Sequence, residues 1–224
     1  MAGQGKVIVI AQQKGGSGKT TLAVNLAVAY ARKGLSVALL DTDPQGSLGR
    51  WFMTRRERLG DAGLEFSTSS AWGVSYECEK LRRMADVILV DTPPKVDADL
   101  RPALREADIV LVPIAASHVD LWATEGVLDL ARRERRQVAT VMNRVRGGTR
   151  LSDEVIAAAA DLDPGMTETR IANRVAYGET LGQGLGIADV HRRGPAATEI
   201  AALAAEVGAR IGLKEAAREP AARD

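Results

Sequence analysis

The chain has 224 residues, with 30 Lys and Arg against 29 Asp and Glu, so its formal net charge is +1 and no global pull towards nucleic acid or membrane exists. One cysteine, Cys78, excludes an intramolecular disulfide and metal sites built from several thiolates. No apolar run approaches the ~20 residues of a membrane span, and aromatics at 4% disfavour recognition of single strands by base stacking. A cytoplasmic protein is expected, with any polyanion binding confined to a local patch.

Short β-branched runs fall at 6–11, 35–41, 64–67, 86–91, 108–114, 138–143 and 166–171, with Ala- and Leu-rich stretches between most of them. That alternation predicts an α/β fold: a doubly wound, mostly parallel sheet with helices on both faces and the ligand beyond the carboxyl ends of the strands. Val87-Ile88-Leu89-Val90 and Ile109-Val110-Leu111-Val112 are continuously apolar, as strands covered on both faces are. The glycine-rich segment 178–195 reads as an irregular loop, and 197–211 reads as a closing helix. A single domain over 1–213 is expected, followed by a disordered tail over 214–224 that has no apolar face.

The first run ends in Gln13-Lys14-Gly15-Gly16-Ser17-Gly18-Lys19-Thr20-Thr21 and passes into a helical stretch. Glycines at such a strand-to-helix turn let successive N–H groups point into one cavity, where phosphates bind. Lys19 then reaches the outer phosphates and Thr20 offers its hydroxyl to Mg²⁺. The usual pattern opens with Gly where Gln13 stands, and a second lysine, Lys14, follows. A lysine in the first half of the loop cannot easily bend back onto its own nucleotide, so Lys14 is a candidate for a neighbouring subunit's nucleotide.

Acidic segments close two later runs, Asp41-Thr42-Asp43-Pro44-Gln45-Gly46 and Asp91-Thr92-Pro93-Pro94. A lone aspartate there is usually a cap or turn residue, but beside a phosphate loop it suits the water shell of Mg²⁺ or an attacking water. Asp41 and Asp43 alternate, so an extended backbone would aim both to one side.

The loop with its extra lysine, the Asp-x-Asp-Pro-Gln segment and the Asp-Thr-Pro-Pro segment together resemble the ParA/MinD family of deviant Walker A ATPases, over roughly 6–211. Asp43-Pro44-Gln45 favours its ParA branch. The resemblance implies ATP and Mg²⁺ as cofactors. It makes Lys14 the lysine that crosses a nucleotide-sandwich homodimer, Lys19 the ordinary loop lysine, Thr20 a Mg²⁺ ligand, Asp43 the catalytic aspartate and Asp91 the second acidic motif supporting the metal with Asp41. Thr21 would contact the α-phosphate, and Asn143, closing the sixth run, would contribute to the adenine site.

ParA relatives also bind double-stranded DNA without sequence preference and answer to a ParB-like or other adaptor. That implies nucleoid association in the ATP state and a cargo such as a plasmid, a chromosome locus or a protein cluster. Candidate DNA contacts are Arg146, Arg150, Arg170, Arg174, Arg192 and Arg193. Ser117 and Asp120 read as a helix-start pair with His118 on the surface. The first run starts within ten residues of Met1, so an N-terminal helix-turn-helix extension is not expected. A MinD-like membrane switch is the main alternative, disfavoured because 212–220 offers little apolar area. A P-loop metabolic ligase is the other, and it would not be expected to carry Lys14.

Overall fold

A computed structural model describes residues 5–95, 99–163, 165–191 and 193–213. Six parallel strands form one sheet: β1 (Lys6–Ile10), β2 (Val37–Asp41), β3 (Glu65–Thr68), β4 (Val87–Asp91), β5 (Ile109–Ala115) and β6 (Val138–Asn143), in the order β3-β2-β4-β1-β5-β6. The period of two along β1 divides its side chains between two cores. Ile8 and Ile10 face α1 (Lys19–Arg32), whereas Val7 and Val9 face the opposite layer.

The first layer also holds α2 (Ser47–Leu59), α7 (Val175–Gly182), α8 (Ile187–Val190) and α9 (Pro195–Arg210). The second holds α3 (Val74–Leu81), α4 (Arg101–Glu106) and α5 (His118–Arg133), while α6 (Arg150–Leu162) packs through Val155, Ile156 and Ala159 on the far end of β5 and β6. The chain leaves β1 towards β2 and β3, returns through β4, and crosses to β5 and β6 on the other side. The topological switch therefore lies at the carboxyl end of β1, where an open parallel sheet splays its connections apart and leaves a crevice.

Two expectations are corrected. The run 166–171 is not a strand: the N–H groups of Glu168 and Thr169 are taken by the Glu206 carboxylate at 2.9 and 3.2 Å, and only an isolated bridge joins Val145 to Ala172. Nor is 178–195 irregular throughout, since it carries the end of α7 and all of α8. Tyr177 and Leu181 lie one turn apart and both face the core, and Asn25, buried in α1, accepts the Ile187 N–H at 2.8 Å. The expected closing helix is present as α9. The tail 214–224 lies outside the described residues.

A buried ion pair ties α2 to α8. Arg55 meets Asp189 at 2.6 Å and also donates to the Ala62 carbonyl at 2.8 Å, while Asp189 accepts the Gly186 N–H at 3.0 Å. Gly184, at φ +70°, lets the chain pass against Arg55, because a Cβ there would lie 2.4 Å from the Arg55 nitrogen. Burial opposes ionisation of Asp189, but its bonds to Arg55 and the Gly186 N–H outweigh it and hold the carboxyl below its usual pKa. A lowered carboxyl pKa stabilises the fold above the unfolded-state value and loses that contribution as the pH falls through the folded value. Arg55→Ala leaves the buried Asp189 carboxylate to Arg32, at 3.0 Å and largely exposed, and to the Gly186 N–H, and is expected to cost about 2 kcal/mol in urea unfolding at pH 7. Wild type should also lose stability more steeply than the variant on acidification below about pH 4.

Candidate nucleotide site

The loop after β1 curls over the amino end of α1. Gly18 precedes that helix at φ +95°, and a Cβ there would stand 2.3 Å from the Asn143 side-chain nitrogen. Only glycine meets both demands. Asn143 approaches so closely because its Nδ2 donates to the Ser17 carbonyl at 2.7 Å, while its Oδ1 accepts the Arg144 N–H at 3.0 Å. The end of β6 thus clamps the loop in its curled form. Gln12, buried beneath the loop, donates to the Pro113 carbonyl at 3.1 Å and to Thr124 at 3.0 Å, and it accepts the Gln13 N–H at 2.8 Å. Gln12 and Thr124 were not singled out from sequence. Nothing local distinguishes an amide that braces a loop from one in solvent.

The two lysines of the loop diverge. Lys19 is buried and folds back onto the Gln12 carbonyl at 3.2 Å, with its pKa lowered by burial against the opposing pull of Asp91 and Asp43. Lys14 lies on the outer side, two-fifths exposed, and its ammonium meets the Asp120 carboxylate at 2.6 Å. That carboxylate is 5% exposed and also accepts the Ser117 hydroxyl. The expected helix start is present, Ser117 accepting the Asp120 N–H at 3.2 Å, and His118 is exposed. Asp120 as the partner of Lys14 was missed, because a local capping pair already accounted for it.

Acids crowd the ends of β2 and β4. Thr20 donates to one Asp91 oxygen at 2.6 Å, and the other Asp91 oxygen is buried without a partner among the described residues. Burial, reinforced by Asp41 and Asp43, pushes the Asp91 carboxyl up to about 7 against the opposing effects of Thr20 and Lys19. Asp41 accepts the N–H groups of Asp43 at 3.1 Å and Gly49 at 2.9 Å, so it anchors the turn into α2. The strand ends at Asp41, and Asp43 follows in the loop, accepting the Gln45 N–H at 2.9 Å with its carboxylate near enough to act on Asp41, Asp91 and Lys19.

An orphaned carboxylate oxygen beside a threonine hydroxyl at the mouth of a phosphate-type loop is a donor set that fits a hydrated divalent cation. Next to it opens a cavity of about 570 Å³, lined by Thr21, Leu22, Asn143, Ile171 and Tyr177 among others. Gly15 and Gly16 lie exposed at the loop's crest, and Ser17 is buried with its hydroxyl unpartnered among the described residues.

The candidate DNA contacts do not form one patch of free guanidinium groups. Arg146, Arg150, Arg170 and Arg193 are exposed, Arg150 pairing with Glu154 at 2.7 Å, and Arg174 is held by Glu199. Arg192 lies outside the described residues. No described helix is long and apolar enough to cross a membrane.

The family model of the ATPase MipZ matches residues 6–135, more than half of the chain. The chain is 31% identical over 238 residues to the chromosome-partitioning ATPase Soj of Thermus thermophilus, covering 91% of this chain and 96% of that protein. It is 27% identical over 198 residues to the maintenance of carboxysome distribution protein A of Halothiobacillus neapolitanus, covering 86% and 91%. An ATP complex of a Cyanothece McdA variant shares the fold with a TM-score of 0.79 at 17% identity, covering 97% of this chain and all of that one. The MinD cell division protein of Aquifex aeolicus does so at 0.76 and 20%, covering 91% and 97%.

A carboxyl whose pKa is raised by folding is released more easily in the unfolded chain, so it lowers stability as the pH rises from about 4 through about 7. Asp91→Asn removes that charge. Without nucleotide, the variant is expected to exceed wild type by about 2 kcal/mol in urea unfolding at pH 8 and to converge with it below about pH 4. An asparagine chain that is the less stable of the two at pH 8 would show that the acid cluster is already compensated within the protein.

Proposed function

The chain belongs to the ATPase MipZ family of ParA-like proteins, and from that membership we propose that it works as an ATP-gated homodimer that positions a cargo over DNA. The observation that carries this reading is the divergence of the two loop lysines. Lys19 lies where it can turn from the Gln12 carbonyl to its own nucleotide, while Lys14 is displaced outward and held by Asp120. A second copy facing the loop would offer Lys14 a more highly charged anion than one carboxylate, and the bond to Asp120 would be exchanged for it.

The remaining residues take roles in keeping with their surroundings. The glycine loop, with Gly15, Gly16, Ser17 and Gly18, presents backbone N–H groups to phosphate oxygens, and Thr21 meets the α-phosphate at the start of α1. Thr20 and the orphaned oxygen of Asp91 would hold Mg²⁺, partly through water, and Asp41 adds negative charge behind them. The bound cation would neutralise charge on the phosphates during transfer. Asp43 has one oxygen held by the Gln45 N–H and can orient an attacking water with the other. Asn143 would touch the base from the end of β6 while keeping its grip on Ser17.

Hydrolysis is expected to be slow until an adaptor contributes, and an arginine supplied in trans can be worth ~10³ or more. DNA binding by Arg146, Arg150, Arg170 and Arg193, joined by Arg174 and Arg192, would belong to the dimer. One of the relatives is named for chromosome partitioning and another for carboxysome distribution. We propose a positioning role of that kind for this chain, on the nucleoid, with a locus or a protein cluster as cargo.

Two variants separate the lysine's role from the aspartate's. Lys14→Ala should keep ATP affinity within about threefold of wild type yet lose ATP-dependent dimers in sedimentation, and a variant that still dimerises removes the cross-subunit role. Asp43→Ala should dimerise on ATP and release phosphate at least 100-fold more slowly, so turnover at the wild-type rate removes the catalytic assignment; ~10²-fold is the usual scale for a positioned proton acceptor. Binding to mixed-sequence duplex should require ATP and weaken steeply with salt as counterions are released. Equal binding with ADP would contradict a dimer-borne surface.

A further inference from the structure

Arg144 follows Asn143 in a left-handed conformation, φ +54°. Among the described non-glycine residues only Arg135 shares a positive φ, and its case is explained by the end of α5, where Arg136 closes back on the Ala131 carbonyl at 3.0 Å. No helix ends at Arg144. The turn lets the chain leave β6 so that Val145 can donate to the Ile171 carbonyl at 3.0 Å and accept the Asn173 N–H at 2.9 Å. Glycine would make that turn without steric cost, yet a long cation stands there.

The side chain is placed where such a cation can act. A Cβ on Gly18 would be 3.9 Å from the Arg144 Nε, so the guanidinium group lies against the phosphate loop. Arg144 lines the 570 Å³ cavity and also the cavity on the other side, beside Ser117 and Arg146, and so forms the rim between them. Two arginines line the larger cavity. Arg174 is committed to Glu199, with Nη2 at 2.5 Å and Nε at 3.1 Å, whereas the Arg144 guanidinium has neither a hydrogen bond nor an ion pair among the described residues. The cavity wall beneath is largely apolar, with Leu22, Ile171, Val175 and Ile200, and suits a flat heteroaromatic ring.

We infer that Arg144 is a nucleotide-contacting residue whose guanidinium closes over the face of the purine in the larger cavity, its strained turn being retained for that contact. The inference rests on the ATPase reading and adds to it a specific residue and mode of contact. Planar guanidinium stacks on an aromatic face with a strength that exceeds its cost when partly desolvated. Because Asn143 grips both Ser17 and the Arg144 N–H, the base and the phosphate loop are sensed through one residue.

Arg144→Gly makes opposite predictions for stability and binding, which a purely structural role would not. With the strain removed, the nucleotide-free variant should melt about 2–4 °C above wild type. Its affinity for Mg-ATP by calorimetry should fall about tenfold, a scale set by one cation–π contact. Competition by inorganic tripolyphosphate should be unchanged. Arg144→Lys should retain only part of the affinity, since it keeps the charge and loses the plane. Wild-type ATP affinity in Arg144→Gly overturns the inference, and equal weakening of ATP and tripolyphosphate overturns the assignment to the base. A wild-type chain that binds tripolyphosphate but not ATP overturns the ATPase reading itself, which keeps the two failures distinct.

Discussion

The constraint on which the site depends is negative charge held at the carboxyl ends of β2 and β4. Asp41, Asp43 and Asp91 are brought together by the register that sets Asp41 beside Asp91 across the parallel pair. Asp41 is neutralised in part by backbone N–H groups, and Lys19 supplies the nearby positive charge, but one Asp91 oxygen is left buried and unpartnered. A folded chain keeps such a group only where the surroundings hold it or where a ligand completes it. The threonine at the start of α1 points its hydroxyl at the same carboxylate, so the loop that would take phosphates and the acids that would take a cation are coupled before either ligand arrives.

That coupling extends outward through backbone atoms. Asn143 fixes the Ser17 carbonyl, Gln12 fixes the Gln13 N–H, and Thr92 donates to the Ile10 carbonyl at 2.9 Å, so β4, β5 and β6 all brace the loop that leaves β1. Preorganised N–H groups stabilise anionic phosphate without reorganising at the moment of reaction. Against this rigid frame Lys14 is the element with two possible partners. Its bond to Asp120 crosses from the loop to the start of α5 and satisfies a buried carboxylate that a departing lysine would leave to the Ser117 hydroxyl and the amino end of α5.

Much of this was legible in sequence because it is written locally. The short β-branched runs predicted all six described strands to within two residues at each end, and the glycine loop with its two lysines could be placed at a strand-to-helix turn. What could not be read depends on contacts far apart in the chain. Lys14 and Asp120 are distant in sequence, and Asp120 already had a sufficient explanation as part of a helix start. Glycines in 178–195 obscured the end of α7 and all of α8, and α8 with the turn before it is anchored by Asn25 from α1 and Arg55 from α2. The run 166–171 has strand composition, and Thr167 and Ile171 donate to carbonyls of β6, but Glu206 of α9 takes the N–H groups of Glu168 and Thr169 between them, so no continuous ladder forms.

The central claim is that Lys14 changes partner, from Asp120 in its own chain to the nucleotide of a second copy. A crystal structure of the Asp43→Ala variant with ATP and Mg²⁺ tests it most directly. The account requires two chains facing each other across two nucleotides, with each Lys14 ammonium released from Asp120 and within hydrogen-bond distance of a phosphate oxygen on the partner's ATP. A nucleotide-bound chain in which Lys14 stays on Asp120, or turns to its own ATP, would contradict it.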